Sequence, residues 1–77
     1  MENEIERAEK LRLSIEETDE EIENLQLVIQ TIDDTIPSIK DVDVKRDFLN
    51  LIAKYEKQME YLEELKTNDE ETLNLFI

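Results

Sequence analysis

Ser14 and Ser38 are the first side chains to weigh for chemistry, and neither has the company a nucleophile needs. A serine is activated by a neighbouring base that a third group orients. The chain has no His and no Cys, which removes the usual proton shuttle at neutral pH, the commonest metal ligand and any thiolate or disulfide. Asp41-Val42-Asp43 has the alternation that opens a calcium loop. Such a loop also needs further alternating oxygen ligands, a turn glycine and a distal bidentate Glu. Lys45 stands where the third ligand belongs, and the chain contains no Gly. These aspartates therefore read as helix caps. Carboxylates are plentiful, but acid–base work requires a pocket that drives two pKa values apart, and a thin helical protein has little depth for one. The expectation is a protein without catalytic residues, metal or cofactor, and not an enzyme.

What the carboxylates can do is present charge. Ile15-Glu16-Glu17-Thr18-Asp19-Glu20-Glu21-Ile22-Glu23 carries six acids, and no Lys or Arg occurs from Leu13 to Ile39. On a helix Glu16 faces Glu20, Glu17 faces Glu21 and Asp19 faces Glu23. Each such like-charge pair costs about 0.2–0.5 kcal/mol in an isolated helix. A surface built for solubility mixes its signs and recovers that energy. Carboxylates one turn apart are spaced by about 6 Å, comparable to successive phosphates along a DNA strand. Glu16, Glu17, Asp19, Glu20, Glu21 and Glu23 are thus candidate DNA-mimicking charges, the simpler alternative being a solvated outer face. The formal net charge of -13 repels nucleic acid and anionic membranes and points to a basic protein surface as partner.

The elements that must hold these residues are helices. A 77-residue chain with 40% charged and 39% hydrophobic residues, no Gly and one Pro suits long amphipathic helices rather than a sheet with tight turns. A heptad runs unbroken over residues 2–36. Position a holds Ala8, Ile15, Ile22, Ile29 and Ile36, and position d holds Leu11, Thr18, Leu25 and Ile32. β-branched residues at a with Leu at d are characteristic of two-helix seams. Ile5 and Val28 widen the stripe. Pro37 ends it, because proline disfavours the α region for Ile36. Residues 37–43 form the connection, with Asp41 or Asp43 as cap. A second stripe follows from about residue 44 to 66: Phe48, Leu51, Ile52, Tyr55, Met59, Leu62 and Leu65. A short link between two amphipathic helices makes them antiparallel neighbours. The expected fold is all-α, an antiparallel, coiled-coil-like helical hairpin over residues 1–66. Two helices bury little, so a homodimer forming a four-helix bundle is also expected. Lys66 and Asp69 occupy the next seam places, which leaves residues 67–77 as either a C-terminal tail or an extension of the second helix. No apolar run approaches the roughly 20 residues of a membrane span, and no basic segment with an apolar core opens the chain. A cytoplasmic protein is expected.

The last residues give the clearest hint of a partner. Thr72-Leu73-Asn74-Leu75-Phe76 resembles the peptide by which bacterial polymerases and repair proteins grip the β sliding clamp: Gln, Leu, a small or polar residue, then Leu-Phe. Leu73, Asn74, Leu75 and Phe76 match position by position, and Thr72 replaces the Gln. The resemblance implies that Leu73 enters one subsite, while Leu75 and Phe76 fill the apolar one. A few apolar anchors in preformed pockets carry most of the energy of such contacts. A sliding clamp is a ring with a basic inner channel for DNA. A protein joining this peptide to an acidic helix is similar to the small phage-encoded inhibitors of bacterial sliding clamps. That resemblance implies a non-enzymatic inhibitor acting in the host bacterial cytoplasm, without direct contact to nucleic acid or membrane. The alternatives are a structural coiled-coil adaptor or scaffold, and a DNA-mimic inhibitor of another DNA-binding protein.

Overall fold

The computed structural model describes residues 3–76 as two long helices joined by a short turn. The expected helix start at Glu2 and the last residue of the tail, Ile77, lie outside the described residues. Helix α1 spans Glu4–Thr35. Asn3 caps it, its side-chain oxygen accepting from the Glu6 N–H at 2.8 Å. Glu4 and Glu6 in the first turn complement the helix dipole. Within α1 the hydroxyls of Thr18, Thr31 and Thr35 each donate to the carbonyl four residues earlier at 2.8 Å, so these residues sit in the helix without an unsatisfied group.

Pro37 ends α1 by a route other than the expected one. Ile36 keeps a helical backbone at φ -52°, ψ -43°. The proline instead sits in the opening of a 3-10 turn, Ile36–Ser38, where its missing N–H is not needed. The chain leaves the helical region at Ile39, φ -84°, ψ 122°, whose N–H donates to the Ile36 carbonyl at 3.0 Å. Asp41 then caps helix α2, Val42–Asn74, accepting from the N–H groups of Asp43 at 2.9 Å and Val44 at 3.3 Å. The cap at Asp41 starts α2 two residues before the expected Val44. Asp43 lies in its first turn, paired with Arg46 on the surface.

The two helices pack antiparallel along their whole length into a rod of 58 × 19 × 14 Å. This is an all-α helical hairpin. Among the described residues Ile22, Ile52 and Leu62 are buried. Every other a and d residue of α1 from Ala8 to Ile32, and Ile36 beyond it, is half-buried, as are Phe48, Leu51, Tyr55, Met59, Leu73 and Phe76. Two helices can enclose only the centre line of their contact, so a longer rod gains seam rather than depth. Three apolar residues expected to face the seam do not. Ile5 is 71%, Val28 41% and Leu65 36% exposed. Leu65 misses because Lys66 holds the seam position beside it, and Ile5 and Val28 because one opposing helix covers only a narrow stripe. Among the described residues no helix is long and apolar enough to cross a membrane.

Candidate partner-binding site

α2 does not stop after Leu65, although its next two seam positions are charged. Both find partners on α1. Lys66 Nζ donates to Asp19 Oδ1 at 2.5 Å and lies 3.8 Å from Glu70. Ser14 Oγ donates to Asp69 Oδ2 at 3.0 Å. The hydrogen bond to Asp19, with the charges of Asp19, Glu70 and Glu63, holds the Lys66 ammonium above its ordinary pKa against the opposing effect of desolvation. A polar layer therefore bridges the seam, and residues 67–74 continue the helix.

This layer brings the acids of α2 beside those of α1. Glu16, Glu17, Glu20, Glu21 and Glu23 are exposed and make no ion pair among the described residues. Asp19 differs: half its side chain is exposed, and it is engaged by Lys66. One inter-helix cleft is lined by Asp19, Ile22, Glu23, Gln26, Glu63, Lys66, Thr67 and Glu70. A shallow depression next to it is lined by Glu60, Glu63, Glu64, Thr67 and Asn68. Asp19 and Glu23 of the α1 run thus form one half of an acidic band, whereas Glu21 borders a cleft with Leu25, Val28 and Gln58 on the other flank. Glu60, Glu63, Glu64 and Glu70, which supply the other half, are not apparent from spacing along the chain alone. They become legible once α2 is laid antiparallel in heptad register, where Glu63 and Glu70 share a flank with Asp19. No group of His, Cys, Asp or Glu among the described residues is arranged to hold a metal ion.

The tip is divided between two directions. The Leu75 N–H donates to the Thr72 carbonyl at 3.1 Å and the Phe76 N–H to the Leu73 carbonyl at 3.0 Å, so the motif residues form the last turn of α2 and its C-cap. On a helix, residues three apart share a face and adjacent ones do not. Leu73 and Phe76 are accordingly half-buried against α1. The Phe76 ring borders a cleft with Glu4, Ile5, Ala8, Glu9 and Arg12, and the Arg7 guanidinium lies 5.5 Å from its centroid. Leu75 points away and is 85% exposed, the most exposed large apolar residue described. Asn74 is exposed, and the exposed Thr72 uses its hydroxyl to donate to the Asn68 carbonyl at 2.9 Å. Three apolar anchors that one pocket would have to receive together therefore lie on two sides of a helix. Comparison with known proteins finds no matching family model, no matching curated protein and no matching solved structure.

Proposed function

We propose that this chain is a non-enzymatic binding protein that inhibits a DNA-processing protein, most specifically the bacterial sliding clamp, by holding its peptide pocket with the tip and its basic channel with the acidic band. The observation that carries the reading is the joining of Asp19 and Glu23, from the Glu16–Glu23 run, with Glu60, Glu63, Glu64 and Glu70 of α2 along one flank of the rod, within about 10–25 Å of exposed Leu75. Packed helices fix the carboxylates in place, so they meet a basic channel without first being ordered. Charge of this density steers encounter and excludes DNA from the same groove. Leu75 is available to a pocket at once. Leu73 and Phe76 follow only when the last turn of α2 releases α1.

A structural coiled-coil adaptor is the second reading, and the docking of Leu73 and Phe76 on α1 favours it. Leu75→Ala separates the two. The residue is exposed, so the change leaves melting unaltered on either reading. On the proposed function it removes a hot-spot anchor and weakens clamp binding, measured by titration calorimetry, by about 2 kcal/mol, some thirtyfold. Wild-type protein that binds no sliding clamp at tens of micromolar and low salt ends the clamp assignment.

A further inference from the structure

α2 carries a second seam. Gln58, Tyr61, Leu65, Asn68, Thr72 and Leu75 follow one another at alternating steps of three and four, the spacing of a coiled-coil contact, and none of them is charged. In a chain with 40% charged residues this is the longest uncharged stripe that faces solvent. Tyr61 is 62% exposed, Leu65 36% and Leu75 85%. Toward the turn the stripe continues through Lys54, half-buried Leu51, Asp47 and Val44. Two clefts mark where it meets α1: one is lined by Glu21, Leu25, Val28 and Gln58, the other by Arg7, Lys10, Leu11 and Thr72. The opposite flank of the hairpin is the acidic one, with Asp19, Glu23, Glu63 and Glu70. Ile5 and Leu49 are exposed on that flank only toward its two ends.

We infer that the hairpin pairs with a second copy of itself along the Asp47–Thr72 stripe, α2 against α2 and antiparallel, about a two-fold axis midway between Gln58 and Tyr61. Three observations name a second copy as the occupant. The first is area. The chain exposes 6222 Å². A compact monomer of 9.2 kDa exposes about 4,900 Å². The excess of about 1,300 Å² exceeds the roughly 800 Å² that each partner contributes to a standard stable interface. The second is charge. Two chains of -13 repel most on the flank that gathers Asp19, Glu23, Glu63 and Glu70, and less on the stripe's flank, where Glu21 is the one acid lining the cleft with Gln58. The third is self-complementarity, which an isologous contact requires. The two-fold places the partner's Asp47 against Thr72, beside Arg7 and Lys10, so the stripe's acid meets the rod's basic corner twice. The acidic bands of both copies then face outward.

Sedimentation velocity of the full chain tests this. Wild-type protein is expected to be a dimer at tens of micromolar. Tyr61→Glu with Gln58→Glu should weaken self-association by about 100-fold or more, because the two-fold sets these positions against each other at the centre of the contact. Both residues are exposed in the single hairpin, so circular dichroism should still report helix. The absence of native Cys gives a second measurement that does not depend on that variant folding. Gln58→Cys should form a disulfide-linked dimer on mild oxidation, and Leu27→Cys, on the outer face of α1, should not. A monomeric wild type, a dimer that survives the double glutamate change, or equal cross-linking from both cysteines overturns the inference. So does efficient self-linking of Val44→Cys, which would mean parallel helices. The contact stands apart from the proposed function: a chain that dimerises this way but binds no clamp keeps the one and loses the other.

Discussion

Replacing Leu73 and Phe76 together with Ala removes the apolar contact of the α2 end with α1 while keeping a good helix former at both positions. Full burial of a Leu or Phe side chain contributes about 1.5–3 kcal/mol. Both residues are half-buried, so each contributes about 1–1.5 kcal/mol and the pair about 2–3 kcal/mol. Loss of the Arg7 contact over the Phe76 ring adds about 0.5–1 kcal/mol. For a domain of this size 1 kcal/mol shifts the melting temperature by about 4–8 °C. Thermal melting followed by circular dichroism at 222 nm should thus drop by about 10 °C or more, with amide shifts of Ile5, Ala8 and Leu11 moving with it. The control is Leu75→Ala, which should leave the melt where it was. Equal losses from Leu75→Ala and from Leu73→Ala would mean that the last turn does not hold the register described. An unaltered melt in the double variant would mean that the tip does not pack on α1 at all.

Changing Glu16, Glu17, Glu20 and Glu21 to Gln should raise the melting temperature at low salt, and should abolish competition with DNA for a clamp channel while sparing the pocket contact; filter binding in a salt series reads both. Wild-type protein should likewise melt higher as salt is added, and melting indifferent to salt would mean the acidic band is not repelling itself. Lys66 has a folded pKa raised by Asp19, so its contribution to stability is complete below its ordinary value of 10.5 and is lost as pH rises through the raised one. Melts at pH 9 to 12 should fall more steeply for wild type than for Lys66→Met, and parallel curves would deny the pair an energetic role. Ile22→Asp sets a charge into one of the three buried positions and should remove both helicity and self-association; a variant that stays helical and oligomeric would place the core elsewhere.

The seam on α1 was readable from the chain because one stripe of β-branched residues and leucine runs unbroken from Ala8 to Ile36, and every member of it lies in the contact. The length of α2 was not. Lys66 and Asp69 look like an ending to any reading that scans nearby residues, since what makes them tolerable lies far along the chain, at Asp19 and Ser14. The same long-range pairing hid Glu63 and Glu70 from a search for acidic runs, because their neighbours in space are on the other helix. Leu65 was misplaced by a single step: next to Lys66 it counts as core by type, but by angle it belongs to the second stripe. At the tip the residue types suggested a peptide, and only the continued helix reveals that its three apolar members diverge.

That divergence bears on affinity. On the proposed function, the competent state of the tip is the one with Leu73 and Phe76 released from α1. A state that costs about 2–3 kcal/mol to reach is populated at about 0.6–3%, and apparent affinity falls by the same factor. The lost contact with α1 is regained in the pocket, where the same two side chains are buried more deeply. Docking therefore tunes the peptide instead of disabling it, and keeps two large apolar groups out of water until a pocket is present. It also predicts opposite effects for changes on the two sides of the contact. Ala8→Asp on α1 should destabilise the docked tip, increase the released fraction and tighten clamp binding, with a ceiling of about 30- to 160-fold, even though it alters no residue of the binding peptide. If instead the tip is purely structural, the same change lowers the melting temperature and improves binding to nothing. Clamp affinity of Ala8→Asp, measured beside its melt, decides between a restrained ligand and a simple helix end.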